Sequence, residues 1–358
     1  MSSLRPVSGS TREVLALLEE WHASPRDPGP LAIETSGSTG MPKRVVLSRA
    51  AMRASAAATA QRLGGPGQWL LNLPATYVAG VQVLFRSVLA GTTPVLLDEH
   101  RNFADATRAM TGQRRYVSLV PTQLTRMLRL PGEAAALRTF DTVLVGGAAV
   151  ERPLRDAAAA AGVNVVATYG MSETCGGCVY DGFPLDGVAV HVGRDGRVRI
   201  AGSVLFDRYD GAPELTAEVL RDGWFTTSDL GRLDDDGRLQ VLGRVDDVVI
   251  SGGINVPAPA VARRLREHPS IVEAEVLGVP DPEWGRRVVA VVVTGHGVAH
   301  RNVPPLDDLR NWVSQAYPRT WAPRQLLRVD AIPLLPNGKV DRSALERLVA
   351  PDPRPGRP

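Results

Sequence analysis

Between Trp69 and Ala167, five short apolar runs alternate with stretches of helical period: Trp69–Leu73, Thr93–Leu97, Tyr116–Val120, Thr142–Val145 and Val163–Ala167. Runs this short and this apolar read as strands covered on both faces. The spacing predicts helices over Val81–Ala90, Gln123–Leu130 and Arg152–Ala161 between them. Parallel strands need long crossover connections, and such alternation supplies them. An α/β layer fold with a mostly parallel sheet is therefore expected. Ahead of it, Val14, Leu17, Leu18 and Trp21 share one face of a helix over Thr11–Trp21, and Leu31–Ile33 reads as a short strand. Ser48–Leu63 predicts a helix, with Ser48 as its N-cap and Gly64-Gly65 as its stop.

The character changes twice further on. After Gly187, short strands with Asp195-Gly196, Asp222-Gly223 and Asp236-Gly237 turns predict a β-rich section of hairpins. After Arg244, Pro257 and Pro259 suit the first turn of a helix running through Arg266. Strands over Glu275–Val279 and Val288–Val293, and helices over Leu306–Ala316 and Ser343–Val349, complete a small α+β domain. The expected organisation is a large N-terminal domain over 1–245, a small C-terminal domain over 246–350 and a tail over 351–358. The tail is mostly Pro, Arg and Asp, too polar to pack, and disorder is expected there.

Composition narrows the function classes. The 358 residues carry a net charge of only +3. The positive charges are scattered and not interleaved with aromatics, so no nucleic-acid partner is expected. No apolar run approaches the roughly 18 residues of a membrane helix, and the first ten residues lack the apolar core of a signal peptide. The two cysteines, Cys175 and Cys178, are spaced C-x-x-C. No second Cys/His pair accompanies them to complete a zinc site. They read as two reduced thiols beside a turn, which suits a reducing, cytoplasmic setting.

Four segments carry chemistry. Thr35-Ser36-Gly37-Ser38-Thr39-Gly40-Met41-Pro42-Lys43 follows a short strand. Its glycines free backbone N–H groups to turn toward an anion, and the lysine adds charge for phosphate oxygens. Its spacing is not that of a P-loop. Thr168-Tyr169-Gly170-Met171-Ser172-Glu173 lies where a buried strand ends, the usual ligand end of an α/β sheet. Glu173 there suits Mg²⁺ held against a phosphate. Asp229, Arg244, Asp246 and Gly252-Gly253 form the third group. Asp229 and Arg244 suit ribose hydroxyls, Asp246 sits where a hinge would, and paired glycines mark close approach. Leu335-Pro336-Asn337-Gly338-Lys339 is a turn that projects a lysine. Taken singly, each segment reads equally as an exposed turn, a solvated acid or a charged hairpin tip.

In this order, from about Leu31 to Leu348, the four segments resemble the acyl-adenylate-forming superfamily of acyl- and aryl-CoA synthetases, adenylation domains and luciferases. The resemblance implies an enzyme that uses ATP and Mg²⁺ to activate a carboxylic acid as an acyl-adenylate. It implies a mobile small domain that then presents coenzyme A. Thr35, Ser36, Gly37, Ser38, Thr39, Gly40 and Lys43 would cover the ATP phosphates. Gly146, Gly147, Ala148, Tyr169, Gly170 and Met171 would flank adenine. Ser172 would approach the α-phosphate, Glu173 would hold Mg²⁺, and Asp229 and Arg244 would bind ribose. Asp246 would be the hinge, Lys339 the adenylation lysine, and Gly252 and Gly253 would line the pantetheine route.

Within the superfamily, Leu73–Gly80, Ser118–Gln123 and Tyr169–Cys178 are most similar to the short actinobacterial form of o-succinylbenzoate–CoA ligases of menaquinone biosynthesis. That likeness implies 2-succinylbenzoate as the acid, with Tyr77, Gly80, Gln82, Arg86 and Thr122 around it. Arg86 is the candidate cation for the acid's second carboxylate, and it reads equally as a helix-surface arginine. Three residues depart from the pattern: Arg44 and Ser228 where glycines are usual, and Tyr77 where many relatives carry a gating His. Another aryl- or acyl-CoA ligase and a standalone adenylating enzyme serving a carrier protein are the alternatives within the class. A silent ligand-binding paralogue is the alternative outside it, opposed by Lys339, Glu173 and Asp229. Partners are expected to be the acid and CoA, with self-association into a homodimer left open.

Overall fold

The computed structural model describes residues 4–35, 43–294, 304–334 and 340–349. It divides into two compact units. The first comprises residues 1–193, 198–227 and 233–240, and the second 194–197, 228–232 and 241–358.

A seven-stranded sheet organises the first unit. Its order is Phe183–Pro184, Gly176–Tyr180, Val165–Met171, Thr142–Val145, Arg115–Leu119, Gln68–Leu71 and Val95–Leu96. The last five run parallel, and at one edge Gly176–Tyr180 returns antiparallel and pairs antiparallel with Phe183–Pro184. Successive residues of a strand enter different cores, as a period of two requires. Trp69, Leu71, Tyr116 and Leu144 pack on one face with Trp21, Met52 and Phe85. Leu70, Val117, Leu119, Val143 and Val145 pack on the other with Phe103, Met127 and Leu137. The strands are mostly apolar because both faces are covered.

The helices that cover them begin where the chemistry of the caps dictates. Ser10 and Glu13 form a capping box at the start of Thr11–Ala23. Ser48 accepts from the Ala51 N–H and starts Arg49–Arg62. Trp21 is fully buried and its indole donates to the Gly29 carbonyl at 2.7 Å. Fully burying a side chain of this kind contributes about 2–3 kcal/mol.

Three short helices, Phe103–Arg108, Pro131–Leu137 and Pro213–Val219, are absent from the sequence expectations. Each is too short to show a hydrophobic period, and local caps define them: Asn102 for the first, proline at N1 for the others. The helix expected from Val81 starts at Val78, because Gly80 lets its first turn press on the Pro74 carbonyl. The strand expected to end at Ala167 runs on to Met171, so Thr168–Met171 is strand rather than loop.

Val188–Val192 pairs with Arg197–Gly202, and Leu220–Arg221 with the start of Trp224–Leu233 across Asp222-Gly223. A smaller four-stranded sheet pairs Leu31–Thr35 with Lys43–Leu47 and sets Arg208–Tyr209 beside the latter. That sheet places Tyr209 opposite Val45, two residues from Lys43.

The second unit is α+β. The hairpin Val248–Ser251/Ile254–Pro257 turns at Gly252-Gly253. A long hairpin, Ile271–Asp281 with Gly285–Thr294, is extended by parallel Gln325–Arg328. Alternation again splits the strand residues. Val288, Ala290 and Val292 pack with Leu265 and Val313, whereas Val289 and Val291 pack with Leu345 and Val349. The expected 351–358 tail lies outside the described residues. No helix among the described residues is long and apolar enough to cross a membrane.

Candidate active site

In the first unit, two of the expected ligand segments, Gly146–Ala148 and Tyr169–Glu173, lie at the C-terminal ends of parallel strands. Gly146-Gly147-Ala148 follows Thr142–Val145, and the Gly146 N–H donates to Leu119 on the neighbouring strand. Beside it, Val165–Met171 carries Tyr169-Gly170-Met171 against Gly176–Tyr180. A Cβ on Gly170 would collide with the Gly176 carbonyl oxygen, so no larger residue keeps these two strands paired. The chain then winds into one tight helical turn, Ser172–Thr174. Buried Thr174 pins it: its hydroxyl accepts from the Met171 N–H at 2.9 Å and donates to Gly176 O at 2.7 Å. Cys175 follows with φ at +52°, an uncommon left-handed conformation for a residue with a side chain. Its carbonyl is held by Ser55 Oγ at 3.1 Å and Gln82 Nε2 at 2.8 Å.

Glu173 is fixed from a different part of the chain. Its carbonyl accepts from Phe206 N–H at 2.9 Å, and its Oε1 accepts from the Tyr209 hydroxyl at 2.7 Å. Lys43 Nζ lies 5.5 Å from the centroid of the same Tyr209 ring. One phenol thus joins the end of the first motif to the acid of the second. Burial, then the neighbouring carboxylate, pushes the Tyr209 phenol far up, so it stays a donor at neutral pH. Sequence reading missed Tyr209, because nothing local marks a tyrosine in a two-residue strand; only the pairing with Val45 delivers it. Thr35 pairs with Lys43 and closes the base of the motif, with its hydroxyl 3.3 Å from the Lys43 carbonyl. Ser36, Gly37, Ser38, Thr39 and Gly40 lie outside the described residues.

The Tyr209–Glu173 hydrogen bond makes a testable prediction. A hydrogen bond to a charged group contributes about 1.5–3 kcal/mol. Tyr209→Phe is expected to raise the Mg²⁺ concentration for half-maximal adenylation about tenfold and to lower Tm by a few degrees. Initial rates against Mg²⁺ measure it, and an unchanged profile removes Tyr209 from the site.

The residues expected around the acid divide. Tyr77 caps the start of Val78–Leu89 and is 53 % exposed. Thr122 is exposed in the first turn of Pro121–Leu128. Gln123 ties that turn down, accepting from Val120 N–H and donating to Asn72 O at 2.9 Å. These positions stand at the ligand end of the sheet. Gln82 is buried and braces the Ser172–Cys175 turn through the Cys175 carbonyl. Arg86 departs from both expectations. It is 7 % exposed, so it is no helix-surface arginine. It also lies about 12 Å down the helix from Val78, since each residue advances 1.5 Å. There, Ser87 Oγ accepts from Trp69 N–H at the beginning of Gln68–Leu71. Arg86 therefore stands at the opposite end of the sheet from Gly146 and Glu173.

The second unit holds the third group. Arg244 Nη1 stands 3.7 Å from Asp229 Oδ1, and Arg244 Nη2 4.0 Å from Asp246 Oδ2. Asp229 is largely buried and Asp246 exposed, within the single turn Val245–Asp247. Gly252 has φ at +56°, its N–H donates to Trp284 O at 2.9 Å, and a Cβ there would lie 2.7 Å from the indole. Gly253 also has positive φ. Lys339 lies outside the described residues.

Cys175 and Cys178 are completely buried. Burial raises both thiols, that of Cys178 to about 12, so neither forms a thiolate nucleophile near neutral pH.

Two family models match the chain: AMP-binding enzyme over residues 25–204, and AMP-binding enzyme C-terminal domain over residues 261–339. The chain is 46% identical over 329 residues to the probable 2-succinylbenzoate–CoA ligase of Mycobacterium tuberculosis, covering 89% of this chain and 84% of the relative. Two solved structures of o-succinylbenzoate CoA synthetase from Bacillus subtilis are similar. One, in complex with its acyl-adenylate intermediate, has a TM-score of 0.69 at 28% identity over 91% of this chain and 70% of that one. The other, in complex with ATP and magnesium ion, has a TM-score of 0.68 at 27% identity over 88% and 69%. With both family models matched in order, and Lys43, Tyr209 and Glu173 assembled as described, the chain belongs to the AMP-binding enzyme family.

Proposed function

We propose that this enzyme ligates 2-succinylbenzoate to coenzyme A through an acyl-adenylate, consuming ATP and releasing pyrophosphate and AMP, as a step of menaquinone biosynthesis. The observation that carries the nucleotide half is the Lys43–Tyr209–Glu173 assembly. The likeness to 2-succinylbenzoate–CoA ligases, 46% with the mycobacterial relative, supports the identity of the acid.

The donor set suits magnesium. Glu173 commits one oxygen to the Tyr209 hydroxyl and retains hard acceptor capacity. Mg²⁺ takes one or two carboxylates and fills its octahedron with phosphate oxygens and water. When bound, it would offset charge on the ATP phosphates. This chain's own residues do the rest. Lys43, with the loop Thr35–Gly40, binds the phosphates. Gly146–Ala148 and Tyr169–Met171 flank adenine, and Asp229 with Arg244 orients ribose. Ser172 approaches the α-phosphate. The acid's carboxylate attacks there, and Lys339 offsets the charge that develops. The small domain, 246–350, then turns about Asp246 and brings the thiol of CoA past Gly252-Gly253 to the activated carbonyl. Tyr77, Gly80 and Thr122 border the acid.

Pyrophosphate release and product mass are to be measured with CoA and a panel of acids. The expected result is 2-succinylbenzoyl-CoA, with kcat/KM for benzoate or a fatty acid lower by about a hundredfold or more. Turnover of those acids without turnover of 2-succinylbenzoate overturns the assignment of the acid. Transfer to a carrier-protein thiol in preference to CoA overturns the assignment of the acceptor.

A further inference from the structure

The adenylation chemistry leaves Arg86 unused. Its side chain is 7 % exposed, yet among the described residues its guanidinium has no hydrogen-bond or ion-pair partner, and its buried Nε is unsatisfied. Its one contact of note is the Trp69 ring, 5.1 Å from guanidinium carbon to centroid. Arginine is almost never so buried unless it is paired, because desolvating a lone charge is costly. A cation–π contact occupies one face of the guanidinium and leaves its in-plane N–H groups unanswered.

Those groups border a cavity of about 490 Å³. Its walls are apolar: Ala56, Ala57 and Ala60 from one helix, Leu89 from another, and the tilted Trp69–Tyr116 ring pair. No aspartate or glutamate lines it, whereas the exposed Arg53 adds a second positive charge. A third guanidinium, that of Arg114, packs on Gly65 in the cavity wall. Gly67, Trp69 and Tyr116 stand at the beginnings of parallel strands, so the cavity occupies the opposite end of the sheet from Gly146 and Glu173. The site thus combines an unpaired buried cation, flat apolar walls and no competing carboxylate.

We propose that this cavity is a second ligand site, which takes a small aromatic carboxylate with its carboxylate on Arg86 and its ring between Trp69 and the alanine wall. A planar carboxylate can accept two parallel N–H bonds from a guanidinium. The volume suits one or two rings. A monoanion also loses less hydration than a phosphate dianion on entering apolar walls. The inference is independent of the reading of the adenylation site.

The test is calorimetric titration of the full-length enzyme with 2-naphthoate and with its neutral amide. The expected result is saturable naphthoate binding, weaker by about tenfold or more for the amide. Arg86→Met and Ala57→Trp should each weaken it by at least a similar factor. Ala57→Trp fills the cavity from its exposed rim and leaves Arg86 intact, so loss of binding there cannot be ascribed to misfolding around the arginine. Tyr77→Ala, at the other end of the sheet, should leave binding unchanged. The proposal is overturned by absence of saturable binding, by equal binding of the amide, by indifference to Arg86→Met and Ala57→Trp, or by loss of binding in Tyr77→Ala alone. Titration with 2-succinylbenzoate identifies the source of the ligand. A second binding event abolished by Ala57→Trp makes it the enzyme's own acid, and a single event insensitive to that change assigns the cavity to another aromatic acid.

Discussion

Lys339→Ala is expected to lower adenylate formation by about a thousandfold, while thioester formation from supplied acyl-adenylate and CoA falls only a few-fold. The asymmetry follows from where charge develops. In the first half-reaction a carboxylate attacks an already anionic α-phosphate, and negative charge must be offset as pyrophosphate departs. In the second, a thiol attacks a neutral mixed-anhydride carbonyl and AMP leaves as an anion already bonded to its site. A lysine serving the first step is therefore dispensable in the second. Pyrophosphate release measures one half-reaction, and CoA consumption from synthetic acyl-adenylate measures the other. Equal loss of both would refute the role, pointing to a lysine that only supports the fold.

Glu173→Gln is expected to reduce adenylation by about a hundredfold, with a raised Mg²⁺ requirement and little change in stability. Glutamine has nearly the same shape, and its amide oxygen can still accept from the Tyr209 hydroxyl, which now bonds Glu173 Oε1 at 2.7 Å. What it lacks is the charge. The effect should exceed that of Tyr209→Phe, which loosens the carboxylate without neutralising it. Unimpaired adenylation with an unchanged Mg²⁺ requirement would place Glu173 outside the nucleotide site.

Much of the fold was legible in local sequence. Thr142–Val145 was delimited to the residue, and the Thr11, Ser48 and Arg152 helices to within two residues at their starts. Caps and apolar runs are local signals, and they act over a few residues. The C-terminal unit's helices and the central residues of its two long strands were legible for the same reason. The residue types that the proposed chemistry needs were also visible in the sequence, because glycine-rich segments, Glu173 and Lys339 appear in order along the chain.

What only the tertiary structure decided are the partnerships between distant segments. Arg86 read equally well as a surface arginine or a substrate anchor beside the nucleotide, and the fold buries it away from both places. The antiparallel run of its helix over Gln68–Leu71 carries it to the far end of the sheet, beside Trp69. Gln82, expected at the acid, braces a turn 93 residues away. Tyr209 gave no local signal, yet a two-residue strand brings its hydroxyl to Glu173 and its ring to Lys43. Residue types and local periods set which chemistry this chain can carry. Sheet pairing decided which of its side chains meet, because a contact across the fold has no counterpart in the spacing of neighbours along the chain.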